Sequence, residues 1–459
     1  MTLDSLLLNL NDTSWDECVT LDHIATDEDV KKLQEEGYPF VISREQFSAL
    51  LPEIQPEMVY FSKSFSVSSF YFNQETLAAC VLHIGFFALD GGEKYVEQAM
   101  RAVKAREAEV AAGDYLGSVL SLSDGLRMGY FQRLVEKRGT LGGKLYSTFF
   151  DVYLTSDYGF RSIPTELIES IIASKPEEAK TKTQKQIEAL PDPVTIYRGG
   201  NTSSTPYEQA WSWSPDINTA HFFAARHGNG PGYVVKGTVR KEDILEAFLD
   251  DTSEPELIVR PKDVKVQEVT TLRGLDELVE LTKLIRTDYQ RYSAELDRLK
   301  FQMDSDLHNS LHTKRVLFLC LIMAELLQLP HADIEALAWA ALYHDTRRFN
   351  DAEEPGHGKR AALYYRNNCP GSYDKVTNLI IHYHSLDDQK GYEAIAREIQ
   401  GQEARERATK LYNIFKDADA LDRLRLGGGL REIDVRMLRN PVAQELTLAA
   451  RLIYGQIKD

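Results

Sequence analysis

The sequence predicts a multidomain protein in which an α+β module is followed by an all-α C-terminal region. The chain has 459 residues, enough for two or three domains of roughly 100–200 residues each. Between residues 194 and 269, short β-branched segments alternate with turn residues, which is typical of strands. Beyond residue 275, apolar residues recur at three- and four-residue steps, which is typical of helices.

The composition is that of a globular protein, with 43% hydrophobic and 27% charged residues. A net charge of −17 argues against general binding to nucleic acid or to an anionic membrane, because both need a basic surface. The four cysteines lie far apart without paired metal spacing, so we expect a reducing compartment. The acidic N-terminal stretch does not resemble a secretory signal. We therefore expect a cytoplasmic protein, or one delivered into the cytosol of a target cell without a conventional signal peptide.

Residues 1–144 are predicted to form an α+β region of unknown role. Residues 59–72 are dense in aromatic and β-branched residues, which favours a strand or hairpin. The stretch from Glu93 to Ala112 has a charged helical pattern, and Gly113 is a suitable end for that helix.

Residues 145–270 are predicted to form the α+β module, and three short motifs occur in it. YRG at 197–199 follows a β-branched segment, and SWS at 212–214 lies on the next strand. A helix is predicted after the second motif, and EPE at 254–256 leads into an apolar strand. Residues two apart on an extended chain point to the same face, so both glutamates of the third motif can flank one substrate.

The order of these motifs resembles the R-S-E class of ADP-ribosyltransferases. The resemblance implies NAD as co-substrate, bound by Arg198 and Gly199. It also implies that Ser212 supports the ribose and the catalytic glutamate. Glu256 would stabilise the ribosyl cation that forms as nicotinamide leaves, and Glu254 would help deprotonate an acceptor such as arginine.

Two positions in this module have alternative interpretations. The family has STS where this chain has SWS, so Ser214 competes with Ser212 for the serine role. Phe222 is a candidate to stack on nicotinamide, although a position in the core is the more common role of such a residue. An unrelated α+β module with charged turns is the structural alternative for the whole region.

Residues 271–300 are predicted to form an amphipathic connecting helix, because Leu275, Leu278, Leu281 and Ile285 recur at helical spacing. Residues 301–459 are predicted to be all-α. This last region contains an adjacent His344–Asp345 pair at the end of an apolar helical stretch. Imidazole and carboxylate together suit a divalent transition metal, and a catalytic site needs several protein ligands plus open positions.

The contexts of these residues resemble the HD-domain metal-dependent phosphohydrolases over roughly residues 300–455. The resemblance implies four metal ligands: His312, His344, Asp345 and Asp419. Asp417 and Asp422 compete for the last role, and we favour Asp419 because it lies in an A-D-x-L context. The divalent metal can be Mn, Fe, Zn, Ni, Co or Mg.

Further residues of this region are candidates for supporting roles. Three histidines can bind a second metal or surround the first: His308, His357 and His384. Four basic residues can hold phosphate: Arg315, Arg348, Lys359 and Arg360. A structural polar cluster and a degenerate HD domain that only binds nucleotide are the alternatives.

Three functional hypotheses follow. In the first, an NAD-dependent mono-ADP-ribosyltransferase is fused to a metal-dependent phosphohydrolase, and the two either act in sequence on the ADP-ribosyl group or serve separate substrates under one regulation. Its acceptor would be a macromolecule, with protein as the expected class, and the HD site would take a nucleotide or an ADP-ribosyl substrate; a toxin, an effector and a regulator all fit. In the second, the HD domain is a nucleotide phosphohydrolase whose middle module only binds nucleotide. In the third, the chain is a scaffold with degenerate sites.

Overall fold

The computed structural model describes residues 15–63, 67–87, 92–156, 163–202, 204–226, 228, 230–250 and 254–456. The chain forms two compact units, Met1–Gln184 and Lys185–Asp459. The helices between residues 145 and 173 belong to the first unit, whereas the sheet of the predicted α+β module begins at Val194 in the second. The bounds of the four predicted regions stay predictions.

The first unit contains a small antiparallel sheet. Its strands, in spatial order, are β1 (Val19–Thr20), β2 (Val59–Phe61), β3 (Ser69–Phe72) and β4 (Ala79–Val81). Residues 59–72, predicted to form a strand or hairpin, contain the paired strands β2 and β3, with Tyr60 opposite Phe70. Residues 64–66 of that hairpin lie outside the described residues.

Eight α-helices lie among the described residues between 27 and 188, and the last of them continues into the second unit. Their bounds are α1 (Asp27–Glu35), α2 (Arg44–Leu50), α3 (Glu93–Ala111), α4 (Leu116–Leu120), α5 (Asp124–Arg138), α6 (Leu145–Tyr153), α7 (Thr165–Ala173) and α8 (Glu177–Glu188). The helix predicted from Glu93 is confirmed as α3. Gly113 follows it with φ +80°, in the left-handed region that glycine adopts readily. Ala99 and Val103 of α3 are buried in the same apolar cluster as Phe61 and Tyr71 of the sheet.

The second unit begins with two three-stranded antiparallel sheets. Their elements are β5 (Val194–Asn201), β6 (Ser212–Trp213), α9 (Ile217–Ala225), β7 (Gly232–Val239), β8 (Ile244–Phe248), β9 (Glu256–Val259) and β10 (Lys265–Leu272). The strand orders are β10-β7-β5 and β6-β9-β8. The backbones of Tyr197 and Ser214 exchange two hydrogen bonds of 2.7 and 2.8 Å, which join the first sheet to the second.

Helix α9 lies very close to β5. Asp216 caps its first turn by accepting a hydrogen bond from the Thr219 amide at 3.0 Å. A Cβ atom on Gly199 would lie 1.7 Å from the Ala220 carbonyl oxygen, so only glycine permits this approach. Gly199 therefore has a packing reason for its identity that is independent of any cofactor.

The C-terminal region is helical, as predicted. Its helices are α10 (Leu275–Ser293), α11 (Ser310–Leu326), α12 (His331–Tyr343), α13 (His357–Asn368), α14 (Lys375–Tyr383), α15 (Asp388–Glu398), α16 (Gln402–Leu421), α17 (Pro441–Glu445) and α18 (Thr447–Gln456). The predicted connecting helix is α10, which buries Leu278, Leu281 and Ile285. Helices α11 and α12 are buried along most of their length, so they form the centre of the bundle.

The sheet module and the helical bundle share one apolar core. Ala220 and Ala224 of α9 and Leu272 of β10 belong to the same cluster of buried residues as the centre of the bundle. Arg273 also forms an ion pair with Glu445 at 2.6 Å between the end of β10 and α17. Among the described residues, we find no helix with the length and apolar character needed to cross a bilayer.

Candidate functional site

The ends of several helices bring the candidate metal ligands together. Asn309 caps α11 by accepting hydrogen bonds from the amides of Leu311 and His312, which places His312 in the first turn. The pair His344–Asp345 directly follows α12, His357 opens α13, and His384 directly follows α14. Asp419 lies in the last turn of α16.

Four histidine rings face one another in two pairs. Nε2 of His312 lies 3.0 Å from Nε2 of His344, and Nε2 of His357 lies 2.9 Å from Nε2 of His384. Asp345 lies between the pairs, with Oδ2 at 3.6 and 3.7 Å from the first pair and Oδ1 at 3.0 and 3.4 Å from the second. Two groups, His312–His344–Asp345 and Asp345–His357–His384, are each compact enough to hold a cation, and both are buried.

The other ring nitrogen of each histidine is held by an acceptor. Nδ1 of His344 donates to the Ala341 carbonyl at 2.8 Å, and Nδ1 of His384 donates to the Ile381 carbonyl at 2.7 Å. A carbonyl can only accept, so Nδ1 carries the proton and the neutral ring has its lone pair on Nε2.

In His312 and His357, too, Nδ1 donates to an acceptor outside the group, so Nε2 faces inward. Nδ1 of His357 donates to the carbonyl of Glu354, and Nδ1 of His312 donates to Asp422 Oδ2 at 2.7 Å. Burial first, and then the Arg425 charge, holds the pKa of His312 well below its ordinary value. The lone pairs of two neutral rings repel at about 3 Å, and either a shared proton or a cation between them removes that repulsion. The donor set therefore fits divalent transition metals.

Asp345 is an ionised carboxylate in this setting. Burial by itself raises its pKa, but positive charge on the neighbouring rings, His344 first, outweighs burial when those rings are protonated and holds the pKa well below its usual range. Its Oδ1 atom is buried and accepts no hydrogen bond of good geometry within the described part of the chain. A charged oxygen in that position suits coordination to a cation.

The three aspartates at the end of α16 have different surroundings. Oδ1 of Asp419 lies 3.4 Å from Nε2 of His312, on the side where that ring faces His344. Asp417 instead accepts from the amides of Arg439 and Asn440 at 2.9 Å each. Asp422 accepts from His312 Nδ1 and, at 2.5 Å, from Arg315 Nε. Only Asp419 of these three has a carboxylate beside the Nε2 atoms.

The four basic residues that are candidates for binding phosphate lie at different distances from the two histidine groups. Nη1 of Arg348 lies 3.6 Å from Asp345 Oδ1 and 3.3 Å from both ring nitrogens of His357, so it borders the second group. Arg315 lies behind Asp422 and orients that carboxylate through two hydrogen bonds. Arg360 pairs with Glu354, and Lys359 is exposed on α13.

Two residues beside the centre were missed by sequence reasoning. Arg425 is largely buried and donates to the Asp422 carbonyl at 3.0 Å. Asp351 accepts from Nδ1 of His308 at 2.8 Å, and the His308 ring centroid lies 6.0 Å from that of His312. Arg425 lies three residues after Asp422, and that spacing is the sequence signal that could have identified it. Asp351 pairs with His308 across 43 residues, so no local pattern identified it.

The candidate transferase residues also lie together. Nη1 of Arg198 donates to the Ser212 carbonyl at 2.7 Å, and the hydroxyl of Ser212 donates to Glu256 Oε1. Strands β6 and β9 pair directly, with Ser212 opposite Ile258, which places the serine beside the glutamate. The three motif residues therefore form a continuous chain of hydrogen bonds.

Ser214 has a different position from Ser212. It is buried, donates to the Pro255 carbonyl at 2.6 Å, and accepts from the Asp216 amide at 3.1 Å. Its hydroxyl thus shapes the turn before Glu256 and the start of α9. Of the two serines, Ser212 is the one bonded to the glutamate.

Glu254 and Phe222 face a residue of the C-terminal region. Glu254 forms an ion pair with Arg431, and the Arg431 guanidinium carbon lies 4.1 Å from the centroid of the Phe222 ring. This contact joins residues that are 177 positions apart, so no local pattern indicated it.

Residues 310–424 match the family model of the HD domain. The matched range is about a quarter of the chain and contains α11 to α16 with both compact groups. The C-terminal region therefore contains an HD domain, which confirms the predicted family for that region. The match does not extend to residues 145–270, so the transferase resemblance stays a prediction. No curated protein and no solved structure matches the chain.

Proposed function

We propose that the HD domain is a metal-dependent phosphohydrolase. The supporting observation is the convergence of the Nε2 atoms of four histidines on the two oxygens of Asp345. When bound, divalent metal supplies a water of lowered pKa and neutralises the charge of a phosphate group. His312, His344, Asp345 and Asp419 would hold one ion, and His357 with His384 would hold a second that shares Asp345.

The surrounding residues have roles that follow from their positions. Arg348 and Arg425 bring positive charge to the borders of the centre, which favours an anionic phosphate substrate. His308 has its Nδ1 proton engaged by Asp351, so its Nε2 is available to hold or pass a proton. Asp422 keeps the His312 ring in the tautomer and orientation that a ligand needs.

The test is metal content together with phosphate release from nucleotides by the purified chain. The double variant His344→Ala, Asp345→Ala should lose bound metal and hydrolysis together. His331→Ala is the matched control, because His331 is exposed at the start of α12. Full metal occupancy in the double variant, by elemental analysis, would refute the assignment.

We propose a second activity, NAD-dependent ADP-ribosyl transfer, for the α+β module. The supporting observation is the hydrogen-bonded chain from Arg198 through Ser212 to Glu256. In this proposal Glu256 stabilises the positive charge that develops on the ribose, and Ser212 holds the glutamate in place. Glu254 accepts the proton of the acceptor. The acceptor is a macromolecule, with protein as the expected class.

Nicotinamide release from NAD tests this activity. Glu256→Gln should abolish both transfer and NAD hydrolysis. Glu254→Gln should reduce transfer more than hydrolysis, because water needs less activation than a protonated guanidinium. Glu268→Gln, on the exposed face of β10, is the control. Equal losses in the Glu254 and Glu256 variants would contradict the division of roles.

We infer that the two sites act in sequence on one ADP-ribosyl group. Such a group carries a pyrophosphate, which is a bond of the class that metal phosphohydrolases cleave. The sheet module and the bundle belong to one unit with a shared core. Joining two sites in one unit raises the effective concentration of an intermediate that both can bind.

A further inference from the structure

A glycine-rich turn follows the HD domain and reaches the candidate transferase site. Residues 427–429 are all glycine, and φ is +98° at Gly427 and +60° at Gly429. These are backbone conformations that other residues adopt only at a cost, so the glycines permit the path of the turn. Arg431 lies on the short 3₁₀ turn that follows, Gly429–Glu432.

Arg431 presents its guanidinium to two candidate transferase residues. Its Nη2 pairs with Glu254 Oε1, and its Cζ lies over the Phe222 ring at 4.1 Å. Both side chains of the ion pair are more than one-third exposed, so the pair adds little to stability. A planar cation held between a carboxylate and an aromatic face is the arrangement by which proteins bind a guanidinium group.

This guanidinium lies close to the glutamate that would stabilise the ribosyl cation. Glu254 precedes Glu256 by two residues, so their Cα atoms are at most about 7 Å apart. Glu256 is held by Ser212 on one side. An arginine paired with Glu254 therefore occupies the place where an acceptor nucleophile has to be deprotonated.

We propose that Arg431 is an acceptor in cis, modified by the transferase site of its own chain. This proposal rests on the transferase activity proposed above. The nicotinamide–ribose C–N bond of NAD breaks, and nicotinamide leaves with the bonding electron pair. A guanidinium nitrogen of Arg431 gives its proton to the Glu254 carboxylate and forms the new C–N bond to the ribose. The products are nicotinamide, ADP-ribosylated Arg431 and one proton.

ADP-ribosylation of Arg431 breaks the contact between the glycine-rich turn and Glu254. The ion pair with Glu254 is lost, because the nitrogen that formed it now carries a bulky group. Two negative phosphates are added beside Glu254 and Glu256, so like charges oppose the former contact. The modified turn therefore leaves the site, which frees Glu254 for an acceptor from another molecule.

The experiment uses the full-length chain, NAD and a metal chelator that silences the phosphohydrolase. Nicotinamide release is measured in the same samples whose peptides are mapped by mass spectrometry. We expect one ADP-ribosyl group on the peptide that contains Arg431, and its loss in Glu256→Gln. Arg431→Lys keeps the charge without the guanidinium and should lose the modification. Arg436→Ala is the control, because Arg436 is an exposed arginine nearby that pairs with Asp434.

A mixing experiment separates modification in cis from modification in trans. The Arg431→Lys chain retains Glu256, whereas the Glu256→Gln chain retains Arg431. When they are mixed with NAD, the Arg431 peptide should stay unmodified. Its modification in the mixture would overturn the assignment in cis. Nicotinamide release by the native chain without an adduct on Arg431 would overturn the assignment of Arg431 as the acceptor, but it would be consistent with the proposed transferase activity. Absence of nicotinamide release would overturn both.

Discussion

Nε2 of His312 and Nε2 of His344 face each other at 3.0 Å, while both Nδ1 atoms are held by other acceptors. This relationship describes the candidate metal centre more sharply than the identity of the residues does. The tautomer of each ring is set from outside the centre, by a backbone carbonyl for His344 and by Asp422 for His312. The lone pairs are thereby directed inward before any ion binds.

Asp422→Asn should reduce metal affinity or hydrolysis about 10–100-fold, because outer groups that orient a ligand histidine have effects of that size. Asp417→Asn is the contrasting variant, five residues earlier on α16. It should cost about 2–3 kcal/mol of unfolding free energy through its weakened bonds to Arg439 and Asn440, with metal affinity retained. Metal titration and chemical denaturation of both variants measure the two effects. A large loss of metal affinity in Asp417→Asn alone would contradict this assignment.

Arg348→Gln should lower kcat/KM for a phosphate substrate roughly 10–100-fold, which corresponds to one charge-assisted hydrogen bond of about 1.5–3 kcal/mol. Lys359→Gln removes an exposed charge eleven residues further along the chain and should leave kcat/KM within about twofold. Steady-state kinetics at saturating metal measures both. Equal effects of the two substitutions would show that only the general field of positive charge matters.

Lowering the pH should weaken the contact between α9 and α18, because His221 in that contact becomes protonated. Burial lowers the pKa of His221 from 6.5 to about 4, and its Nδ1 lies 3.2 Å from the Thr447 hydroxyl. Because the folded pKa is the lower one, the unfolded chain takes up more protons as the pH falls. The stability from the neutral ring is complete above pH 6.5 and is lost progressively toward pH 4.

The loss over that range should be roughly 3 kcal/mol for a shift of this size. Thermal unfolding between pH 7 and pH 4 measures it. His221→Gln cannot titrate, so it should lose less stability than the native chain over the same range. His331→Ala serves as the comparison, since it removes an exposed histidine. An unchanged pH dependence in His221→Gln would contradict the assignment.

The sequential action of the two sites can be tested with an acceptor that already carries ADP-ribose. The Glu256→Gln chain is supplied with this acceptor and a divalent metal. We expect loss of a mass equal to AMP, or removal of the whole ADP-ribosyl group. An intact modification, together with continued hydrolysis of free nucleotides, would show that the domains serve separate substrates.

Local patterns were sufficient for elements whose stability is local. The end of α3 at Gly113 and the hairpin of β2 and β3 depend on residues within a few positions of each other, so periodicity and turn residues predicted them. The HD pair was recognisable for a similar reason, because His344 and Asp345 are adjacent and follow a strongly apolar helix. The family match over residues 310–424 agrees with that prediction.

The different surroundings of Asp417, Asp419 and Asp422 are visible only in the tertiary structure. All three are carboxylates within six residues of each other, and in the sequence only the A-D-x-L context favoured Asp419. Their surroundings differ because Arg439, His312 and Arg315 come from distant parts of the chain. The choice between Ser212 and Ser214 is similar, since the partner that distinguishes them is on β9.

The sequence by itself indicated an α+β region followed by a helical one, the candidate ligand atoms and the order of the motifs. Those properties depend on side-chain chemistry and on spacing along the chain. Only the tertiary structure decided which nitrogen of each histidine faces the centre, and that Arg431 faces Glu254 and Phe222. Those properties depend on directions and distances between segments far apart in sequence, which the packing of the shared core sets.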